Sequence, residues 1–136
     1  MGRILVLDDE ALIGLDLAMM LEGEGHTISG PHANADAAQS AIAEDPPDAA
    51  LLDVNLGLGR TSAPVADRLA AAAIPFAFLT GYEQLGEQLE QRFRDRPRLG
   101  KPFDRVRIMA TLADLLDESA VQRLENRPLA AGKAGR

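Results

Sequence analysis

Three apolar runs, Ile4–Leu7, Ala49–Leu52 and Pro75–Leu79, carry no polar residue on either side of an extended chain. A strand of that kind offers no face to water, so it has to lie inside a sheet covered on both sides. Between the runs stand longer stretches with apolar residues at helical spacing, the alternation expected of repeated strand and helix units around a parallel sheet. Arg3–Leu7, Thr27–Ser29, Ala49–Leu52, Pro75–Leu79 and Arg98–Gly100 are the five predicted strands, the second and fifth being weak in pattern.

Glu10–Glu22 places Leu12, Leu15 and Met19 at helical spacing, and Gly23 to Gly25 supply the stop. Asn34 is the N-cap expected for a helix through Ala43, which Asp45, Pro46 and Pro47 end. Ala63–Ala73 forms a third helix with Val65, Leu69 and Ala72 on one face. Tyr82–Phe93 has only Leu85, Leu89 and Phe93 as an apolar line, so this fourth helix is expected to be the least buried. Asp104 can cap a fifth, whose Ile108, Met109, Leu112, Leu115 and Leu116 make a wide apolar face. The expected class is α/β: five βα units, with a central five-stranded parallel sheet in a three-layer αβα sandwich. One domain over residues 1–118 uses up the pattern, and residues 119–136 are expected to be a helix end and flexible tail.

Composition narrows the function. A chain of 136 residues with 46% hydrophobic but only 4% aromatic content builds its core from small aliphatics, which suits helices layered on a sheet. No cysteine is present, so disulfides, thiolate metal sites and a thiol nucleophile are excluded, and a cytoplasmic, reducing location is the expected one. The apolar run near the amino terminus is too short for a signal sequence or membrane span. A net charge of −7 repels phosphate backbones, so neither nucleic acid nor membrane is an expected partner; the acid excess suits a cation or a basic protein surface.

In an open parallel sheet, ligands gather outside the carboxyl ends of the strands, where strand order reverses. Strand one ends in Asp8, Asp9 and Glu10, strand three in Asp53, Val54 and Asn55, strand four in Thr80 and Gly81, strand five in Lys101 and Pro102. Carboxylates brought to one edge repel each other unless a cation or proton is shared, and Mg2+ takes an all-oxygen ligand set of this kind. Asp53 could then use one oxygen on the metal and the other as nucleophile toward an activated phosphoryl group. Lys101, the Thr80 hydroxyl and backbone N–H groups would neutralise the oxygens of the transferred group.

With Asp8-Asp9, the aspartate of LLDVN, the hydroxyl of FLTGY and the lysine of LGKPF in this order, the chain resembles the receiver domain of two-component response regulators over roughly residues 2–118. The resemblance implies a flavodoxin-like (βα)5 fold and phosphoryl transfer from a histidine kinase or histidine phosphotransferase to Asp53. It implies Mg2+ held by Asp9 and Asp53, with the Asn55 carbonyl contributing and Asp8 acting largely through water. It further implies a cis Lys101–Pro102 bond and a downstream protein partner on the face from helix four to strand five. The stretch PFAFLTGYE is similar to the Phe-Ala-Thr-Gly-Tyr subclass, mostly single-domain regulators of general stress signalling, with Leu79 in place of the motif's alanine. Arg98 stands where an aromatic switch residue is usual, so signalling is expected to pass from Gly81 through Tyr82.

Two other readings use the same residues. A haloacid-dehalogenase-like phosphohydrolase also forms an aspartyl phosphate, but on strand one within a DxD pattern, where this chain has DDE. An interaction module could keep the fold without the chemistry. Taken singly, Asp8 and Asp9 suit a helix N-terminus, Asp53 a turn, Thr80 a strand and Lys101 solvent. Gly57, Gly59 and Thr61 match no phosphate-cradling spacing and predict a flexible loop; His26 and His32 predict surface positions.

Overall fold

The computed structural model describes residues 2–81 and 87–125. Strands β1 (Arg3–Leu7), β2 (Thr27–His32), β3 (Ala49–Asp53), β4 (Phe76–Thr80) and β5 (Arg98–Gly100) form one parallel sheet in the order β2-β1-β3-β4-β5. Helices α1 (Ala11–Gly23), α2 (Ala35–Glu44), α3 (Ala63–Ala71), α4 (Glu87–Phe93) and α5 (Arg105–Glu125) connect and follow the strands. The expected five βα units and flavodoxin-like order are therefore present, and the order reverses between β1 and β3.

The two-residue period of the central strands sorts their side chains into two cores. Leu5, Leu7, Ala50, Leu52, Phe76 and Phe78 face one way, toward Ala38 and Ile42 of α2, Val65 and Leu69 of α3, and Leu89 of α4. Ile4, Val6, Ala49, Leu51, Ala77 and Leu79 face the other way, toward Leu17 and Leu21 of α1 and Ile108, Leu112 and Leu115 of α5. Each buried Leu or Phe contributes on the order of 2 kcal/mol, so neither layer can be dispensed with. Phe93 ties α4 to the sheet, its ring 5.4 Å from Phe76 and 6.3 Å from Phe78.

Local chemistry sets the helix ends. Asn34 Oδ1 accepts the Ala37 N–H at 2.8 Å, the cap the sequence predicts, and Asp104 Oδ1 accepts from Val106 at 2.9 Å. After α3 the chain turns through Ala73, whose φ of 58° is left-handed, while Ile74 N–H reaches Leu69 O at 2.9 Å and Ala73 N–H reaches Ala70 O at 3.1 Å. This six-to-one and five-to-two pair normally has glycine at the turn. Ala73→Gly is expected to stabilise the fold by about 0.5–1 kcal/mol, because relief of the left-handed alanine exceeds the added chain entropy. A higher midpoint in a denaturant titration is the expected reading; an unchanged one would mean that the alanine is not strained there.

Several sequence expectations are corrected. Leu12, Leu15 and Met19 do mark a helix, but they point outward at 77, 48 and 61% exposure, and Gly14, Leu17, Ala18 and Leu21 pack inward. The helix is apolar on nearly all sides, so its period could not choose the face. Strand β2 runs to His32 because pairing with β1 resumes at Leu7 past an irregularity, and α5 runs to Glu125, with Ser119 buried. His26 and His32 are half-buried, the first accepting from Gly2 N–H at 3.3 Å and the second 3.1 Å from Ser29 Oγ. Residues 82–86, with Tyr82 and Leu85 of the expected fourth helix, and residues 126–136 lie outside the described residues. Among the described residues no helix is long and apolar enough to cross a membrane.

Candidate functional site

The strand period that builds the core also aims the acids. Asp8 continues the side of Ile4 and Val6, and Asp53 that of Ala49 and Leu51, so both emerge on the α1 and α5 side of the sheet at its carboxyl edge. Thr80 ends β4 half-buried, one residue past the Leu79 that pairs with Asp53. Asp8 is only 1% exposed and Asp53 only 3%. Their burial is what gives the site its electrostatics.

Lys101 answers those charges. Its main-chain N–H bonds Thr80 O at 2.8 Å, extending the β4–β5 pairing, and the following Lys101–Pro102 bond is cis as the resemblance implies. The ammonium lies 3.0 Å from Asp8 Oδ2, 3.3 Å from Asp53 Oδ1 and 3.6 Å from Glu10 Oε1. Asp8 also accepts Glu10 N–H at Oδ1, at 2.9 Å, and donates its own N–H to His32 O at 3.0 Å. Asp8 Oδ2, although fully buried and paired by charge with Lys101, has no aligned hydrogen bond.

One ammonium cannot neutralise this many carboxylates. Burial, then the Asp9 carboxyl beside it and the charge of Asp8, push Asp53 up to about 7, with Lys101 pulling less strongly the other way. Burial works against the charge on Lys101, but Asp8 and Asp53 outweigh it and hold its pKa above the ordinary value. The oxygens of Asp8, Asp9 and Glu10 come within 4.8 Å of one another. The arrangement leaves a deficit of positive charge at a site made entirely of oxygen donors.

Above Asp53 opens a cleft of about 260 Å3, lined by Asp9, Glu10, Asp53, Asn55, Gly57, Gly81 and Lys101. The predicted Asp9, Asp53, Asn55, Gly81 and Lys101 are thus brought together. Asp8 lies beneath them, and Thr80 and Pro102 stand outside the lining. Glu10 and Gly57 are cleft residues to which the sequence reading gave no role. Gly57 belongs to a tight hairpin beside the site: Asn55 pairs with Thr61, Leu56 N–H bonds Arg60 O at 2.9 Å, and Asn55 Oδ1 accepts Gly57 N–H at 3.1 Å. With φ of 80° and only 3.4 Å between a built Cβ and Asp9 Oδ2, that position favours glycine. Spacing could not find it, because the closeness to Asp9 arises between elements far apart in sequence.

No family model matches the chain. Comparison with individual proteins does give relatives. The Phyllosphere-induced regulator PhyR of Methylorubrum extorquens is 30% identical over 119 residues, which is 84% of this chain and 43% of that protein. The chain spans between 43% and 50% of the length of the curated relatives it matches. In solved structures, SdrG from Sphingomonas melonis Fr1 is 38% identical with a TM-score of 0.71, over 88% of this chain and 97% of that one. The receiver domain of NtrX from Brucella abortus is 25% identical with a TM-score of 0.73, over 84% and 98%. Likeness this complete in both directions makes the assignment: the chain belongs to the receiver-domain family of two-component response regulators.

Proposed function

We propose that the chain is a phosphorylation-switched signalling module in which Asp53 accepts a phosphoryl group from a phosphohistidine donor, a histidine kinase or histidine phosphotransferase. The observation that carries this reading is Asp53 itself, a nearly buried carboxylate at the end of a central strand, 3.3 Å from an ammonium and open to a cleft. In the transfer, an Asp53 carboxylate oxygen forms a bond to phosphorus while the phosphorus–nitrogen bond of the donor breaks. The electron pair of that bond stays on the imidazole. Lys101 is already in place to meet a phosphoryl oxygen, and Gly81 leaves the cleft floor open. Thr80, which stands outside the cleft lining, would bring its hydroxyl to the new anion.

The donor set fits a hard divalent cation. All the groups are oxygen, the carboxylates outnumber the ammonium, and Asp8 Oδ2 lacks an aligned hydrogen bond. Asp9 and Asp53 would hold Mg2+, with the Asn55 carbonyl contributing and Asp8 acting largely through water. When bound, the cation supplies positive charge against the oxygens of the group being transferred. Since Asp53 holds its proton up to about pH 7 without metal, binding at lower pH has to displace a proton.

The turn of Thr80, passed through Gly81 and Tyr82, would alter the face formed by α4 and β5, where a downstream protein docks. The stretch from Phe76 to Tyr82 supports the Phe-Ala-Thr-Gly-Tyr subclass and a place in general stress signalling. The test is incubation with a phosphorylated histidine phosphotransferase, with and without Mg2+, followed by mapping of the label. Mg2+-dependent label on the peptide containing Asp53 is expected, and label confined to another carboxylate would reject the assignment.

A further inference from the structure

Glu10 is the N-cap residue of α1, yet its side chain bonds none of the free N–H groups of the helix. Its carboxylate lies 3.6 Å from Lys101 Nζ and lines the cleft above Asp53. Lys101 thus meets three carboxylates, and they differ in kind: the side chains of Asp8 and Asp53 are 0 and 4% exposed, that of Glu10 is 60% exposed. The two buried acids hold the ammonium in place. The exposed one stands at the mouth, where an incoming phosphodonor has to pass.

We infer that Glu10 is a charge gate at the mouth of the cleft, which selects among phosphodonors by their net charge before they reach Asp53. The inference rests on the phosphoacceptor reading of Asp53. A fixed negative charge at the entrance raises the energy of an approaching anion in proportion to that anion's charge. It also competes with the phosphoryl group for Lys101. Small doubly charged donors are therefore disfavoured, and a phosphohistidine, delivered on a protein surface that can place a cation opposite Glu10, suffers least.

Proportionality to charge makes the gate measurable. The full chain is labelled at saturating Mg2+ with acetyl phosphate, which is doubly charged at neutral pH, and with phosphoramidate, which is singly charged. Glu10→Gln keeps the shape and removes the charge. It is expected to speed phosphorylation by acetyl phosphate about 3- to 10-fold and by phosphoramidate by about the square root of that factor. Raising the salt concentration should shrink both gains. Glu10→Lys should enlarge the preference for acetyl phosphate further, which separates a charge effect from any change in the helix cap. Equal gains for the two donors, or no gain, would overturn the gate; slower labelling by both would instead make Glu10 a metal ligand and overturn it too. If neither small donor labels Asp53 in the wild type or in Glu10→Gln while a phosphorylated histidine phosphotransferase does, the gate falls alone; if that protein donor also leaves Asp53 unlabelled, the phosphoacceptor reading falls and the gate with it.

Discussion

Asp53→Asn is expected to abolish Mg2+-dependent phosphoryl uptake and, in metal-free protein, to make the fold more stable at neutral pH. The first follows from loss of the nucleophilic carboxylate, the second from the loss of its ionisation. Asp53 is pushed up to about 7 from an ordinary value of 3.8, so the folded chain binds its proton more tightly than the unfolded chain does. Stability is then highest below about pH 4 with respect to this group, and it falls as pH rises through 7, because ionising the buried carboxylate is costly. Asparagine keeps the shape and removes the ionisation, with an expected gain of about 1–3 kcal/mol at pH 8 that vanishes near pH 4. Denaturant titrations of both proteins in chelator, across that range, measure it. A constant difference across the range would show that Asp53 is not the group titrating. Adding Mg2+ should shrink the difference, since the cation stabilises the wild type by binding its ionised form.

Lys101→Met is expected to act in the opposite direction and more strongly. It removes the ammonium that sits 3.0 Å from the buried Asp8 and 3.3 Å from Asp53, leaving carboxylates without a counter-charge. Loss of one partner from a buried pair costs about 3–5 kcal/mol. The metal-free variant should therefore be destabilised by roughly that amount at pH 8, and by less at pH 5, where Asp53 is protonated. With Mg2+ present the fold should largely recover, yet phosphoryl uptake should remain about 100-fold slower, for want of the cation that meets the transferred oxygens. Folding recovered by Mg2+ together with a wild-type rate would deny Lys101 that role.

The fold was legible wherever burial was complete. Strands β1, β3 and β4 are apolar on both sides, and no other environment tolerates such runs, so their number and parallel arrangement followed from the sequence. The Asn34 cap and the start of α5 followed from side chains acting on their immediate neighbours. Where a helix was apolar all round, as in α1, the period marked the helix and was silent on its face. The full length of β2 depended on pairing with β1 across an irregularity, which no local pattern records.

The site divides along the same line. Asp8, Asp9, Asp53, Asn55, Gly81 and Lys101 were legible because an open parallel sheet delivers its strand ends to one edge, and the sequence marks each of those ends with polar groups. Tertiary structure alone decided their inequality. It buried Asp8 and Asp53 and left Glu10 exposed on the same ammonium, and it brought Gly57 against Asp9. It also left Thr80 and Pro102 outside the lining of the cleft that the other strand ends share. The reason is physical: a residue's chemistry is written in its own side chain, but its pKa and its reach depend on which distant elements exclude water from it and which charges they bring near.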